Sequence, residues 1–80
     1  MTNTGYEILE LYRTSKPGEC TRGFALGKAL NDKALCQWVT WRYIDAEDSG
    51  KPDFYSGNYW YSEHQARQDF HQRISDSYAQ

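Results

Sequence analysis

His64 and His71 stand seven residues apart in a stretch of helical pattern, which sets them on roughly one side of a helix, where an imidazole can act as a general base. Nucleophilic chemistry also needs an activated Ser or Cys and an orienting group, and neither a glycine-framed nucleophile elbow nor a strand-end cluster of acids accompanies them. Both read as solvated helix residues. Together with Cys20 and Cys36 they supply the residue types of a zinc site, but the close Cys pair and the short His spacing of such sites are missing. The cysteines are expected to be reduced thiols that behave as small apolar residues. Asp45, Glu47 and Gly50 fit the first half of a calcium loop, yet Ser56 stands where the bidentate acid belongs. "RGFALGK", Arg22 to Lys28, lacks both the spacing of a phosphate-binding loop and the hydroxyl residue after its lysine. The expectation is a non-enzymatic protein with no cofactor and no metal.

The chemistry that remains belongs to aromatic rings. Seven Tyr, three Trp and three Phe in 80 residues offset a shortage of aliphatic side chains, because each ring removes a large area from water. A chain of this length forms one domain, residues 1–80, and buries only about 60% of its unfolded surface, so one helix and one sheet sharing an interface are about all it supports. The formal net charge of −2 is spread along the chain, which argues against general attraction to nucleic acid or to an anionic membrane. "MTNTGYEIL" carries no leader pattern, and no apolar run reaches the roughly 18 residues of a membrane span, so a soluble cytoplasmic protein is expected.

Five segments must position those rings. "YEILELYRT", Tyr6–Thr14, alternates as a strand in which Tyr6, Ile8, Glu10 and Tyr12 share a parity against Leu9 and Leu11. The Pro17-Gly18 turn ends it. Cys20–Leu30 is read as a second strand, despite helix-favouring residues, because Gly23 and Gly27 weaken a helix and Phe24 and Leu26 alternate. Asn31–Lys33 supplies hairpin chemistry before "LCQWVTWRYI", Leu35–Ile44, the clearest strand. There Cys36, Trp38, Thr40, Arg42 and Ile44 share one face, with Gln37, Val39, Trp41 and Tyr43 on the other.

An acidic connection, Asp45–Asp53, leads to a fourth strand, Phe54–Tyr61. Strict alternation there puts Phe54, Ser56, Asn58 and Trp60 on one side and Tyr55, Gly57, Tyr59 and Tyr61 on the other, with Gly57 marking a bulge or a close backbone approach. "SEHQ" then forms a capping box for a helix from Glu63 to about Ser77. Ala66, Phe70, Ile74 and Tyr78 make its apolar stripe, while the pairs Glu63–Arg67 and Asp69–Arg73 are placed on its wet side. The expected fold is α+β: a four-stranded antiparallel meander sheet with one C-terminal helix on one face, the Phe54 and Trp60 side.

The residues "WVTWRYID", "DFYSGNYW" and "ARQDFHQR" resemble, in order, a "VTW" strand, a "GxYW" or "GHYF" strand and an "A...DF..R" helix of small uncharacterised proteins from phages, plasmids and integrated elements. The likeness covers roughly Phe24 to Arg73, with Asn58 standing where the group often has histidine. It implies a mobile-element context, in which small proteins bind host or competing machinery, as anti-CRISPR and other anti-defence inhibitors do. The residues expected to meet a protein partner are Trp41, Tyr43, Tyr55, Tyr59 and Tyr61 on the open face, with Asp45, Glu47 and Asp48 of the loop. Self-association as a homodimer would use the same face or an edge strand. The alternative is single-stranded nucleic acid stacked on those rings, with Arg22, Lys28 and Arg42 along its phosphates, although an acidic chain fits that poorly. The bland alternative is rings lying flat beneath long polar stems with no partner.

Overall fold

Alternation along the strands and the capping signal at Ser62 produce the expected elements, with one addition. A computed structural model describes residues 1–79. It contains β1 (Thr2–Asn3), β2 (Tyr6–Arg13), β3 (Thr21–Ala29), β4 (Trp38–Asp45), β5 (Asp53–Trp60) and α1 (Glu63–Tyr78). The sheet is an antiparallel meander in the order β1-β2-β3-β4-β5, so it has five strands where four were expected. The extra strand is two residues long and pairs Thr2 with Glu7 and Asn3 with Tyr6. Its turn is made by Thr4 and Gly5, both at positive φ (47° and 88°). No helix is long and apolar enough to cross a membrane among the described residues.

The helix begins where the capping residues place it. The Ser62 Oγ accepts a hydrogen bond from the Gln65 N–H at 3.2 Å. Ala66 and Phe70 are buried against Phe24 and Leu26 of β3, with Trp38, Trp60 and Ile74 packed around them. The last residue of the expected stripe, Tyr78, is exposed. Of the two pairs expected on the wet side, Glu63–Arg67 is exposed at 2.8 Å, whereas Asp69–Arg73 faces the sheet and is largely buried. The pattern 63, 67 and 69, 73 straddles the boundary between the two sides of the helix, which is why spacing alone misassigned the second pair.

Two bulges overturn the parity expected for β2 and β5. On β2 the register passes from Ile8 opposite Gly27 to Glu10 opposite Leu26, leaving Leu9 as the extra residue. Tyr6 and Ile8 therefore pack away from the helix, with Trp41, while Glu10 reaches Arg67 of α1 at 3.0 Å. On β5, Ser56 and Gly57 together stand opposite the single residue Trp41, between the pairs Thr40–Asn58 and Arg42–Tyr55. Ser56 takes a left-handed φ of 54°. A one-residue insertion sends every later side chain to the opposite face. Phe54 consequently lies with Tyr43 on the uncovered face, away from Trp60, and Tyr55 lies on the helix side, away from Tyr59.

Candidate functional site

The face of the sheet turned away from α1 carries a second core of its own: Ala25, Val39, Trp41 and Tyr43 are buried, with Tyr6, Ile8 and Phe54 packed against them. Among the described residues no element of secondary structure covers this face, so the sheet must cover itself. In a flat sheet β2 and β5, three strand spacings apart, would be separated by about 14 Å. The Tyr6 and Tyr59 ring centroids are nonetheless 5.9 Å apart. The sheet curls into a trough, and its two flanks meet over the floor.

The curl follows from the inward residues of β3, which are Gly23, Ala25, Gly27 and Ala29. Small side chains at alternate positions leave room above β3 for rings supplied by its neighbours. Trp41 fills that room. A Cβ on Gly27 would lie 3.3 Å from the Trp41 ring, and a Cβ on Gly57 would lie 2.7 Å from Trp41 Nε1, so the indole is seated between two glycines on either side of its own strand. Tyr6 meets it edge-on at 5.7 Å, Tyr59 edge-on at 6.4 Å and Phe54 at 5.5 Å. Burying a ring this size removes on the order of 200 Å² from water, an upper figure of about 5 kcal/mol. The Tyr6 hydroxyl donates to the Cys36 carbonyl at 2.8 Å. Burial raises the Tyr6 pKa, and Cys36 and Tyr59 raise it further.

The eight residues expected at an interface therefore divide. Trp41 and Tyr43, each 4% exposed, are the floor of the trough and present almost no surface. Tyr59 is 52% exposed on its rim, where Leu11 of β2 is 42% exposed. Tyr61, just beyond β5, is exposed as well. Tyr55 stands on the other side of the sheet. Asp45 is buried, and its carboxylate accepts from the Ser49 and Gly50 N–H groups at 2.9 and 2.8 Å, which folds the β4–β5 loop. Those bonds hold its pKa below the ordinary carboxylate value, against the opposing effect of burial. Glu47 and Asp48 are exposed on the same loop, and Asp48 accepts from Thr21 Oγ1 at 2.5 Å. The rim residues that parity had not singled out, Leu11 and Tyr6, had one sequence signal: the G-x-A-x-G-x-A spacing of β3, which marks the face that must close.

On the helix side the polar residues of the three resemblance patterns converge. Asp69 Oδ2 accepts from Thr40 Oγ1 at 2.5 Å and from Asn58 Nδ2 at 3.1 Å, and lies 3.5 Å from Arg73 Nε. Arg73 Nη2 donates to the carbonyl of Ser56 at 2.7 Å, so the helix latches the β5 bulge. Burial pulls the Arg73 pKa below its ordinary value; Asp69 opposes this and nearby Arg42 adds to it. The network joins helix to sheet. His64 and His71 are exposed on α1, across the sheet from the trough, and both cysteines are free. Among the described residues no group of three or more His, Cys, Asp or Glu is placed to hold a metal ion. Comparison with family models, with curated proteins and with solved structures found no match.

Proposed function

We propose that this chain is a small non-enzymatic protein-binding module of mobile-element type, an inhibitor that works by covering a functional surface of a host defence complex, as anti-CRISPR proteins do. The single observation that carries the reading is the uncovered trough. Its floor is filled internally by Trp41, while Leu11 and Tyr59 keep apolar surface at its rim. A half-exposed tyrosine held by neighbouring rings loses little conformational freedom on docking, which suits it to anchor an interface. The exposed acids Glu47 and Asp48 follow β4 at the Tyr43 end of the trough and supply a charged margin.

Single-stranded nucleic acid on the same rings draws less support, because Arg22, Lys28 and Arg42 stand on the helix side of the sheet, opposite the trough. The test is affinity capture from cells that carry the element, comparing the native chain with Leu11→Ser/Tyr59→Ser. The native chain is expected to retain a specific protein that the double variant releases, with equal far-UV circular dichroism for both. Equal retention would overturn the assignment of this face.

A further inference from the structure

A groove of about 670 Å³ runs between the C-terminal part of α1 and the sheet, on the side opposite the trough. Its charged lining is Lys16, Arg22, Arg42 and Arg73 against Glu19 and Asp76, and with Asp69 paired to Arg73 behind it one positive charge is left in excess, in a chain whose net charge is −2. Arg22 is engaged by Glu19 at 3.7 Å. Arg42 is exposed, has no hydrogen bond or ion pair among the described residues, and makes its contact with the Phe24 ring at 5.9 Å. Beneath it, Arg73 keeps Nη1 buried without a partner among the described residues. Arg73 is paired with Asp69 at 3.5 Å, so of the two guanidinium groups Arg42 is the one without a carboxylate partner among the described residues. Exposed Tyr55 and Tyr78 flank the opening.

We infer that this groove is an anion site that takes an acidic segment of the partner protein, with a carboxylate held by Arg42 between Tyr55 and Tyr78. Arginine suits the task because its planar fork matches a carboxylate and donates to both oxygens. The volume lies within the roughly 300–1,000 Å³ at which pockets take ligands of drug size, so a side chain with its flanking backbone fits. An extended polyanionic strand fits less well than one short acidic segment, since exposed Asp48 of the β4–β5 loop and Asp53 at the start of β5 lie at the same end of the sheet as Arg22 and confine the positive surface to the groove. That the occupant is a protein rests on the docking reading above; the cationic groove does not.

The experiment is a titration of the ¹⁵N-labelled full chain with acetylated tetra-aspartate, with tetra-asparagine, inorganic phosphate and oligothymidylate in parallel. Tetra-aspartate alone is expected to shift Arg42, Tyr55 and Tyr78, and Arg42→Gln to weaken it about tenfold while Tyr59→Ser leaves it unchanged. Shifts confined to other residues, or equal affinity in Arg42→Gln, would overturn the site. Tighter binding of oligothymidylate, or displacement of the peptide by equimolar phosphate, would overturn its carboxylate occupant. In the capture assay, a partner retained by Arg42→Gln but lost by Leu11→Ser/Tyr59→Ser removes this inference and keeps the docking face; the reverse pattern removes the docking face and keeps the groove.

Discussion

The two faces of one sheet are filled by different means. On the helix side, Phe24 and Leu26 meet an amphipathic helix, and a polar network of Thr40, Asn58, Asp69 and Arg73 fixes that helix over a bulge. On the trough side no other element among the described residues packs on the sheet, which folds over a tryptophan seated between two glycines. The difference shows how 80 residues can bury both sides of a sheet with a single helix: one face is covered by packing another element on it, the other by removing side chains from one strand so that neighbouring rings can close. The second leaves Leu11 and Tyr59 exposed at the rim where the sheet closes, and the first leaves Tyr55 and Tyr78 exposed beside the helix.

The largest effects should come from emptying either core. Trp41→Ala and Phe70→Ala should each lower stability by about 3–5 kcal/mol in urea unfolding. They should differ in kind: Trp41→Ala erases the near-ultraviolet dichroism of the ring cluster, whereas Phe70→Ala keeps much of it. If both variants lose that signal equally, the two cores are one cooperative unit and the contrast between faces fails.

Removing the acid at the helix interface comes next. Asp69→Ala leaves Arg73 largely buried beside Arg42 without its counter-charge, and an effect of about 2–3 kcal/mol is expected. Asp69→Leu with Arg73→Met should recover the part due to the unpaired charge but not the hydrogen bonds that Thr40 and Asn58 lose, read against the two single substitutions Asp69→Leu and Arg73→Met in a double-mutant cycle. On the trough side, Gly57→Ala drives a methyl group against the rigid indole of Trp41 and should cost about 1–3 kcal/mol. Trp41→Phe in the Gly57→Ala background should relieve part of that cost, because the smaller ring vacates the contested space.

The smallest effect is one of pH. Because the Asp45 pKa is lowered in the folded chain, its contribution is fully present above the unfolded value of about 3.9 and is lost as pH falls through the folded value. Thermal melts should therefore show native stability declining in acid below about pH 4, and a shallower decline in Asp45→Asn. Parallel declines would show that the loop does not depend on the ionised carboxylate.

Much of this fold is legible in the sequence, for identifiable reasons. Alternation in Trp38–Asp45, the Pro17-Gly18 turn and the Ser62 cap are local signals, and local signals sufficed for four strands and the helix. The faces were not legible. A bulge adds one residue without changing composition, so Leu9 and Ser56 each reversed a parity that counting by twos takes as constant. Gly57 did announce its bulge, but the direction in which Tyr55 and Phe54 would turn depends on the partner strand. The short β1 lacks any alternation to read, and the burial of Trp41 arises from glycines 14 residues before it and 16 after it. Of the expected interface, Tyr59, Tyr61, Glu47 and Asp48 keep their exposure, whereas Trp41, Tyr43 and Asp45 are taken up by the core and the loop.

Whether the trough rim is the docking face can be decided by site-specific photo-crosslinking. A photoreactive phenylalanine analogue is placed at Tyr59 on the rim, or at exposed Gln68 on α1, across the sheet, in the chain expressed in its native host. Docking through the rim should give an adduct with one discrete protein from position 59 and none from position 68. Adducts from position 68 alone, or none from position 59 in a chain shown to be folded, would contradict it.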